Sequence, residues 1–248
     1  MRLQGKIALI TGAGSGFGEG IARRFATEGA RVVAADLNLA AAERVAAEIG
    51  GLAVGGDVSV GADVRAMVAA AVDRLGGLDV VVNNAGTTHR NRPMLEVDEA
   101  TFDRVYAVNV KSLYWMAQAA VPVLRAQGRG GSIINISSTA GIRPRPGLVW
   151  YNGTKGAVNT MTMCMATELA ADNIRVNSVC PVMGATGLLA EFMGVPDTPE
   201  ARARFIASIP LGRMSTPADI ANACVFLAED SSSFLTGTLL PVDGGRCA

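Results

Sequence analysis

Tyr151 and Lys155 stand four residues apart, and Ser138 lies a short way before them. Four-residue spacing at the start of a helical segment puts two side chains on one face, one turn apart. A phenol is a poor acid or base near neutrality, with a free pKa of about 10. A neighbouring ammonium favours the phenolate, so the pair suits proton transfer. On an arbitrary helix the same spacing is only a surface pair. Ser138 follows the apolar run Ile133–Ile136, which places it at the C-terminal edge of a strand, where open α/β sheets bind ligands. Its hydroxyl there can hold a substrate oxygen. Its competing use, as a nucleophile, needs a base. The one histidine, His89, lies in a separate loop, and no G-x-S-x-G frames the serine.

A second group sits near the N-terminus. The first apolar run ends in Thr11-Gly12-Ala13-Gly14-Ser15-Gly16-Phe17-Gly18, and a helical pattern follows. Glycines let backbone approach a pyrophosphate, and a helix N-terminus offers free N–H groups and a positive dipole end. The simpler use of such a turn is tight packing of helix on sheet. The setting of strand before and helix after favours phosphate binding by Gly12, Ser15, Gly16, Phe17 and Gly18. Asp36 closes the second apolar run, with Leu37 after it. A carboxylate there accepts hydrogen bonds from adenosine ribose hydroxyls and repels a 2′-phosphate. Ser15 supplies no cation to offset it. The expected cofactor is therefore NAD (NADH), with NADP disfavoured. The positive ring of an oxidised nicotinamide would also favour the Tyr151 phenolate. Asp57 and Val58 end the third apolar run on the same rim and border the adenine.

These groups need a scaffold. Apolar strands are expected at Lys6–Thr11, Arg31–Asp36, Leu52–Gly56, Leu78–Asn83, Ser132–Ser137, Arg175–Val179 and Thr238–Val242. Helical patterns occupy Phe17–Glu28, Ala40–Ile49, Val60–Leu75, Phe102–Ala126, Ala157–Ala171 and Pro217–Ala228. The alternation predicts one α/β domain over residues 1–248, a doubly wound sheet of about seven parallel strands with helices on both faces. One long irregular stretch, about 182–216, is rich in Gly and Pro among Leu, Met and Phe. It is expected to be a substrate lid.

Composition narrows the function classes. Of 248 residues half are hydrophobic, and 22 Lys+Arg balance 22 Asp+Glu. No basic stripe suggests nucleic acid. No apolar run suggests a membrane span, and the N-terminus does not read as a secretory signal. Cys164, Cys180, Cys224 and Cys247 form no C-x-x-C pair, so no metal site is expected, and unpaired thiols fit a cytoplasmic location.

Taken in order, the Thr11–Gly18 turn, Asn83-Asn84-Ala85-Gly86, Asn109, Ser138, Tyr151-x-x-x-Lys155 and Asp243-Gly244-Gly245 make the chain resemble a classical short-chain dehydrogenase/reductase over essentially its whole length. The resemblance implies a Rossmann-like fold and interconversion of an alcohol and a ketone with NAD(H). The substrate would be a small alcohol, polyol, sugar or cyclic ketone. It implies Tyr151 as general acid/base and Lys155 as the residue that binds the nicotinamide ribose and lowers the tyrosine pKa. Ser138 would hold the substrate oxygen, and Asn109 a water in a proton relay. Asn84, Ala85 and Gly86 would steady the sheet beside the cofactor, with Pro181 and Thr186 along the nicotinamide. A homotetramer is also implied. Two other readings remain. One is a 3-oxoacyl-thioester (acyl-carrier-protein or CoA) reductase, against which Asp36 argues, as does Asp172, which reverses the charge at a position where such reductases often pair a basic residue with one like Arg129. The other is a catalytically silent NAD-binding regulator or scaffold, against which the intact Ser138, Tyr151 and Lys155 argue.

The chain departs from the family at Val182, where Pro-Gly is usual. The added side chain either narrows the pocket or occupies a turn that never needed a positive φ. Beyond it, Met183, Leu188, Leu189, Phe192, Met193 and Phe205 line a substrate pocket or cover their own core. Two rim loops are basic, His89-Arg90-Asn91-Arg92 and the loop with Arg143 and Arg145. They would capture an anionic group or, more simply, stand as solvated charges.

Overall fold

The computed structural model describes residues 1–184, 187 and 189–248. Seven strands form one sheet: β1 (Ile7–Thr11), β2 (Arg31–Asp36), β3 (Leu52–Gly55), β4 (Val80–Asn83), β5 (Gly131–Ile136), β6 (Ile174–Pro181) and β7 (Leu239–Val242). Their order is β3-β2-β1-β4-β5-β6-β7, and every pairing is parallel. The order reverses between β1 and β4. That is the crevice where doubly wound sheets take ligands, outside the carboxyl ends of the strands.

The helices are α1 (Gly16–Thr27), α2 (Leu39–Ile49), α3 (Gly61–Ala70), α4 (Glu99–Tyr106), α5 (Ser112–Gln127), α6 (Val149–Leu169), α7 (Leu189–Met193), α8 (Pro199–Ile206) and α9 (Pro217–Ala228). Side chains alternate across the pleat, so β1 feeds two cores. Ala8 and Ile10 join Ile21 and Phe25 of α1 and Ile220 and Val225 of α9 on one face. Ile7 and Leu9 join Met67 of α3, Met116 and Leu124 of α5, and Leu169 of α6 on the other. Burial on both faces explains why the strands read as unbroken apolar runs.

Several boundaries differ from the sequence expectation. The stretch expected as one helix at Phe102–Ala126 is α4 and α5 joined by a π-helical turn at Ala107–Lys111. α3 likewise passes into a π-helical turn, Ala71–Leu75. β4 starts two residues late because Leu78 is taken by Gln127, whose amide bonds both its N–H and its C=O. α6 begins at Val149, well before the expected Ala157. No side chain caps it, and Gly153, Thr154 and Gly156 are weak helix formers. Its start is held by burial of Tyr151, Asn152, Thr154 and Lys155. Among the described residues no helix is long and apolar enough to cross a membrane, and no His/Cys/Asp/Glu cluster fits a metal.

Candidate active site

A cleft of about 660 Å³ opens at the β1/β4 switch point and runs from Asp36 and Asp57 to Ser138 and Tyr151. Its floor is the glycine turn. Gly12 and Gly16 adopt left-handed backbone, φ +66° and +57°. Both line the cleft with Ser15 and Phe17. Ser15 precedes α1 in extended conformation and makes no side-chain cap, so the first-turn N–H groups stay open to an anion. Gly18 does not line the cleft. It lies beneath the turn, where a Cβ would stand 2.0 Å from the Gly12 carbonyl oxygen. Packing and phosphate approach are thus both served, by different glycines.

Asp36 is held at the far end. Its Oδ2 accepts from the Gly14 N–H at 2.8 Å and its Oδ1 from the Asn38 N–H at 2.9 Å. The nearby Arg44 is committed elsewhere, donating to the Gly14 carbonyl at 2.9 Å and to Glu19 at 2.8 Å. Arg44, with Arg23, holds Glu19 at about 2 against the opposing effect of burial. Leu37, Asp57 and Val58 complete this end of the wall.

Beside the turn, Thr11 organises the β4 exit. Its hydroxyl accepts from the N–H groups of Asn84 and Ala85 at 3.1 and 3.0 Å. The Asn84 side chain donates back to the Thr11 and Gly12 carbonyls. Ala85 and Gly86 thereby face the cleft. Asn109 sits behind them, buried in the π-helical turn. Its Oδ1 accepts from the Thr87 N–H, and its Nδ2 donates to the Thr87 carbonyl and to Thr154 Oγ1. Asn109 does not itself line the cleft.

Tyr151 and Lys155 are brought together on α6 beside Ser138, all three lining the cleft. Lys155 Nζ donates to the Ile136 carbonyl at 2.9 Å and stands 5.8 Å from the Tyr151 ring centroid. Burial pushes Tyr151 up to about 12, although the Ser138 hydroxyl and the Arg145 charge both pull it down. Burial likewise pushes Lys155 down to about 8. Burial thus works toward the neutral form of each, and Lys155 still holds its proton below pH 8.

Val182 lines the cleft without backbone strain. Its N–H donates to the Val242 carbonyl, its carbonyl accepts from Ser215 Oγ, and Asn173 is the one described non-glycine residue with positive φ. Both sequence alternatives therefore hold: the turn needs no glycine, and the side chain narrows the wall. Pro181 and Met183 flank it in sequence, and Phe192 and Phe205 also line the cleft. Leu189 and Met193 are buried and do not line the cleft. Thr186 and Leu188 lie outside the described residues. His89 is a packing residue, buried with Nδ1 on the Arg90 carbonyl.

Arg90 is turned away onto the Gly194 carbonyl. Arg145, by contrast, is not a solvated loop charge. It lines the cleft and lies over the Phe205 ring, 4.8 Å from its centroid. Arg246 and Ser208 also line the cleft and carried no sequence signal, since their neighbourhood depends on how the C-terminus and α8 return to the site.

The residues fit a nicotinamide dinucleotide: a carboxylate at one end, an open helix N-terminus midway and a phenol at the other. A family model described as Enoyl-(Acyl carrier protein) reductase matches residues 12–246. The chain belongs to the short-chain dehydrogenase/reductase family. It is 53% identical to the 4-formylbenzenesulfonate dehydrogenase of Comamonas testosteroni, covering 99% of each chain. It is 38% identical to 2-(S)-hydroxypropyl-CoM dehydrogenase 3 of Xanthobacter autotrophicus, over 100% of this chain and 98% of that one. A solved 3-ketoacyl-(acyl-carrier-protein) reductase from Brucella melitensis, complexed with NADH, superposes with a TM-score of 0.94 at 47% identity, covering 99% of this chain and 100% of that one. This short-chain dehydrogenase/reductase is thus a nicotinamide-dependent oxidoreductase acting on CH–OH groups.

Proposed function

We propose that the enzyme interconverts a secondary alcohol and its ketone with NAD(H), with Tyr151 as the acid/base. The observation that carries this is the buried Tyr151 phenol, lining the cleft with Ser138 beside it and Lys155 one helical turn on. A bound nicotinamide supplies or accepts the hydride. Ser138 Oγ holds the substrate oxygen near the phenol, and Tyr151 takes the alcohol proton in oxidation and returns it in reduction. Lys155, anchored on the Ile136 carbonyl, holds the nicotinamide ribose. Asn109 acts as a positioning residue that ties the Thr87 backbone to α6 through Thr154.

Preference for NAD over NADP rests on Asp36. Its carboxylate is fixed by two backbone N–H groups, and Arg44, the nearby cation, is engaged by Glu19. The substrate class includes small alcohols, polyols, sugars and cyclic ketones. The compound named for the Comamonas testosteroni relative adds aryl carbonyl compounds to that class. A 3-oxoacyl-thioester reductase is the second reading, favoured by the Brucella melitensis neighbour. Arg129 is paired with Asp79, and Arg125 with Asp172, which neutralises the patch an acidic carrier would need. The residues from 182 to 216, including α7 and α8, are proposed as the substrate lid of a single domain. A cytoplasmic homotetramer is part of the reading. Exposed Tyr114 on α5 and Met163 on α6 support the assembly, and four free cysteines support the compartment.

The test is nicotinamide absorbance during turnover, with NAD⁺ and NADP⁺ each tried against alcohols of these classes. Tyr151→Phe is expected to lower kcat at least about a thousandfold, on the scale of a lost general acid/base. NADH binding should be spared. Near-normal turnover by that variant would sink the assignment.

A further inference from the structure

The charged groups of the cleft are sorted by sign. Asp36 and Asp57 border one end, whereas Arg143, Arg145 and Arg246 border the Tyr151 end. The sorting at the Tyr151 end is not balanced by protein carboxylates. Among the described residues, none of these three arginines has a carboxylate within ion-pair distance. A partly buried guanidinium without a counter-charge is costly, and the cost is recovered when an anion arrives.

Arg145 is also held in place. Its carbonyl accepts from Asn152 Nδ2 at 2.7 Å, and the following Gly147 carbonyl accepts from the Arg92 N–H. Its Nη2 donates to the Phe192 carbonyl at 2.8 Å. That bond uses one of five N–H donors. Its guanidinium carbon lies over the Phe205 ring, while Phe192 packs edge-on against Tyr151 with ring centroids 5.0 Å apart. One wall therefore carries an acid/base phenol, two aromatic rings and an unneutralised guanidinium. Burial pushes the Arg145 guanidinium down from its ordinary range, the Tyr151 phenol opposes this, and Arg246 adds to it.

We propose that Arg145, seconded by Arg246, is an anion subsite for the substrate, so that the enzyme takes an alcohol or carbonyl compound whose apolar, ring-sized body carries a carboxylate or sulfonate. The inference deepens the dehydrogenase reading and rests on it. Phe192 and Phe205 take the apolar body, Tyr151 faces the reacting carbon's oxygen, and Arg145 fixes the far end. Such a clamp orients the reacting group as well as binding it.

Two readouts separate this subsite from the reaction itself. In the first, benzoate, benzenesulfonate and the neutral benzamide are titrated calorimetrically into the NADH-loaded enzyme. Both anions are expected to bind at least tenfold more tightly than the amide, a gap of about 1.4 kcal/mol. Arg145→Met, which removes the charge and keeps an unbranched side chain, is expected to close the gap, and Arg145→Lys to restore part of it. In the second, kcat/KM is compared for 4-(1-hydroxyethyl)benzoate and 1-phenylethanol, both secondary alcohols, where the same variant should erase the preference for the acid. Equal binding of anions and amide, or a gap that survives in Arg145→Met with NADH binding intact, would overturn the subsite. Arg145-dependent anion binding without turnover of any alcohol would uphold the subsite and overturn the dehydrogenase reading.

Discussion

Replacing Lys155 with methionine is expected to change how the stability of the protein depends on pH, apart from any effect on turnover. Lys155 is buried, and burial pushes its ammonium from 10.5 down to about 8. The unfolded chain keeps the ordinary lysine value of about 10.4. Below pH 8 both states hold the proton, and the folded state carries a charge that water would solvate better. Between 8 and 10.5 the unfolded chain binds more protons than the folded one, so stability rises with pH through that window. The whole displacement corresponds to about 3 kcal/mol, of which about 2 kcal/mol is recovered between pH 7 and pH 9.5. Methionine does not titrate, and the neutral amine keeps its bond to the Ile136 carbonyl. The difference between the two proteins therefore isolates the ionisation. Urea unfolding without nucleotide, at fixed protein concentration and at both pH values, measures it. Wild type should gain about 2 kcal/mol on Lys155→Met from pH 7 to pH 9.5. A constant difference, or one of opposite sign, would refute the claim that an ammonium is buried at a cost.

Other perturbations probe the remaining parts. Asp36→Ser removes the carboxylate, leaves Gly14 and Asn38 N–H groups a hydroxyl partner, and should raise the NADP⁺/NAD⁺ ratio of kcat/KM by at least about tenfold, on the scale of one charge contact. An unchanged ratio would remove Asp36 from cofactor choice. Asn109→Leu takes a partner from the part-buried Thr87 N–H and carbonyl and from the buried Thr154 Oγ1, which keeps its bond to the Tyr151 carbonyl. It should cost about 1–2 kcal/mol in denaturant unfolding, the lower part of the cost of about 1–3 kcal/mol for an unsatisfied buried group. A neutral effect would show that the π-helical turn repacks without it.

Much of the scaffold was legible because its signals are local. The strands are unbroken apolar runs, since both faces of a parallel sheet are covered. All seven expected strands overlap the observed ones to within two residues at each end, β6 running on to Pro181. α9 was legible to the residue, having Thr216 as N-cap, Pro217 at its first turn and a reciprocal bond with Asp219. The start of α6 was legible only through the Tyr151–Lys155 pair, because the periodic pattern itself begins at Ala157. No cap marks it, and its weak helix formers are held by contacts from distant segments. The π-helical turn that carries Asn109 was hidden for a similar reason: an added residue per turn leaves hydrophobic periodicity nearly unchanged over so short a span.

The sequence by itself determined the doubly wound sheet, the glycine turn, Asp36 at the end of β2, and the four-residue spacing of Tyr151 and Lys155. Each is a property of neighbours along the chain, where φ/ψ preference, pleat and helical repeat act. Tertiary structure alone decided which residues share the cleft. It set Arg145 on Phe205 and beside Arg246, turned Arg90 away, and gave Gly18 to packing instead of the cleft wall. It also set the proton affinities of Tyr151 and Lys155, because desolvation depends on what surrounds a group in space and not on its place in the sequence.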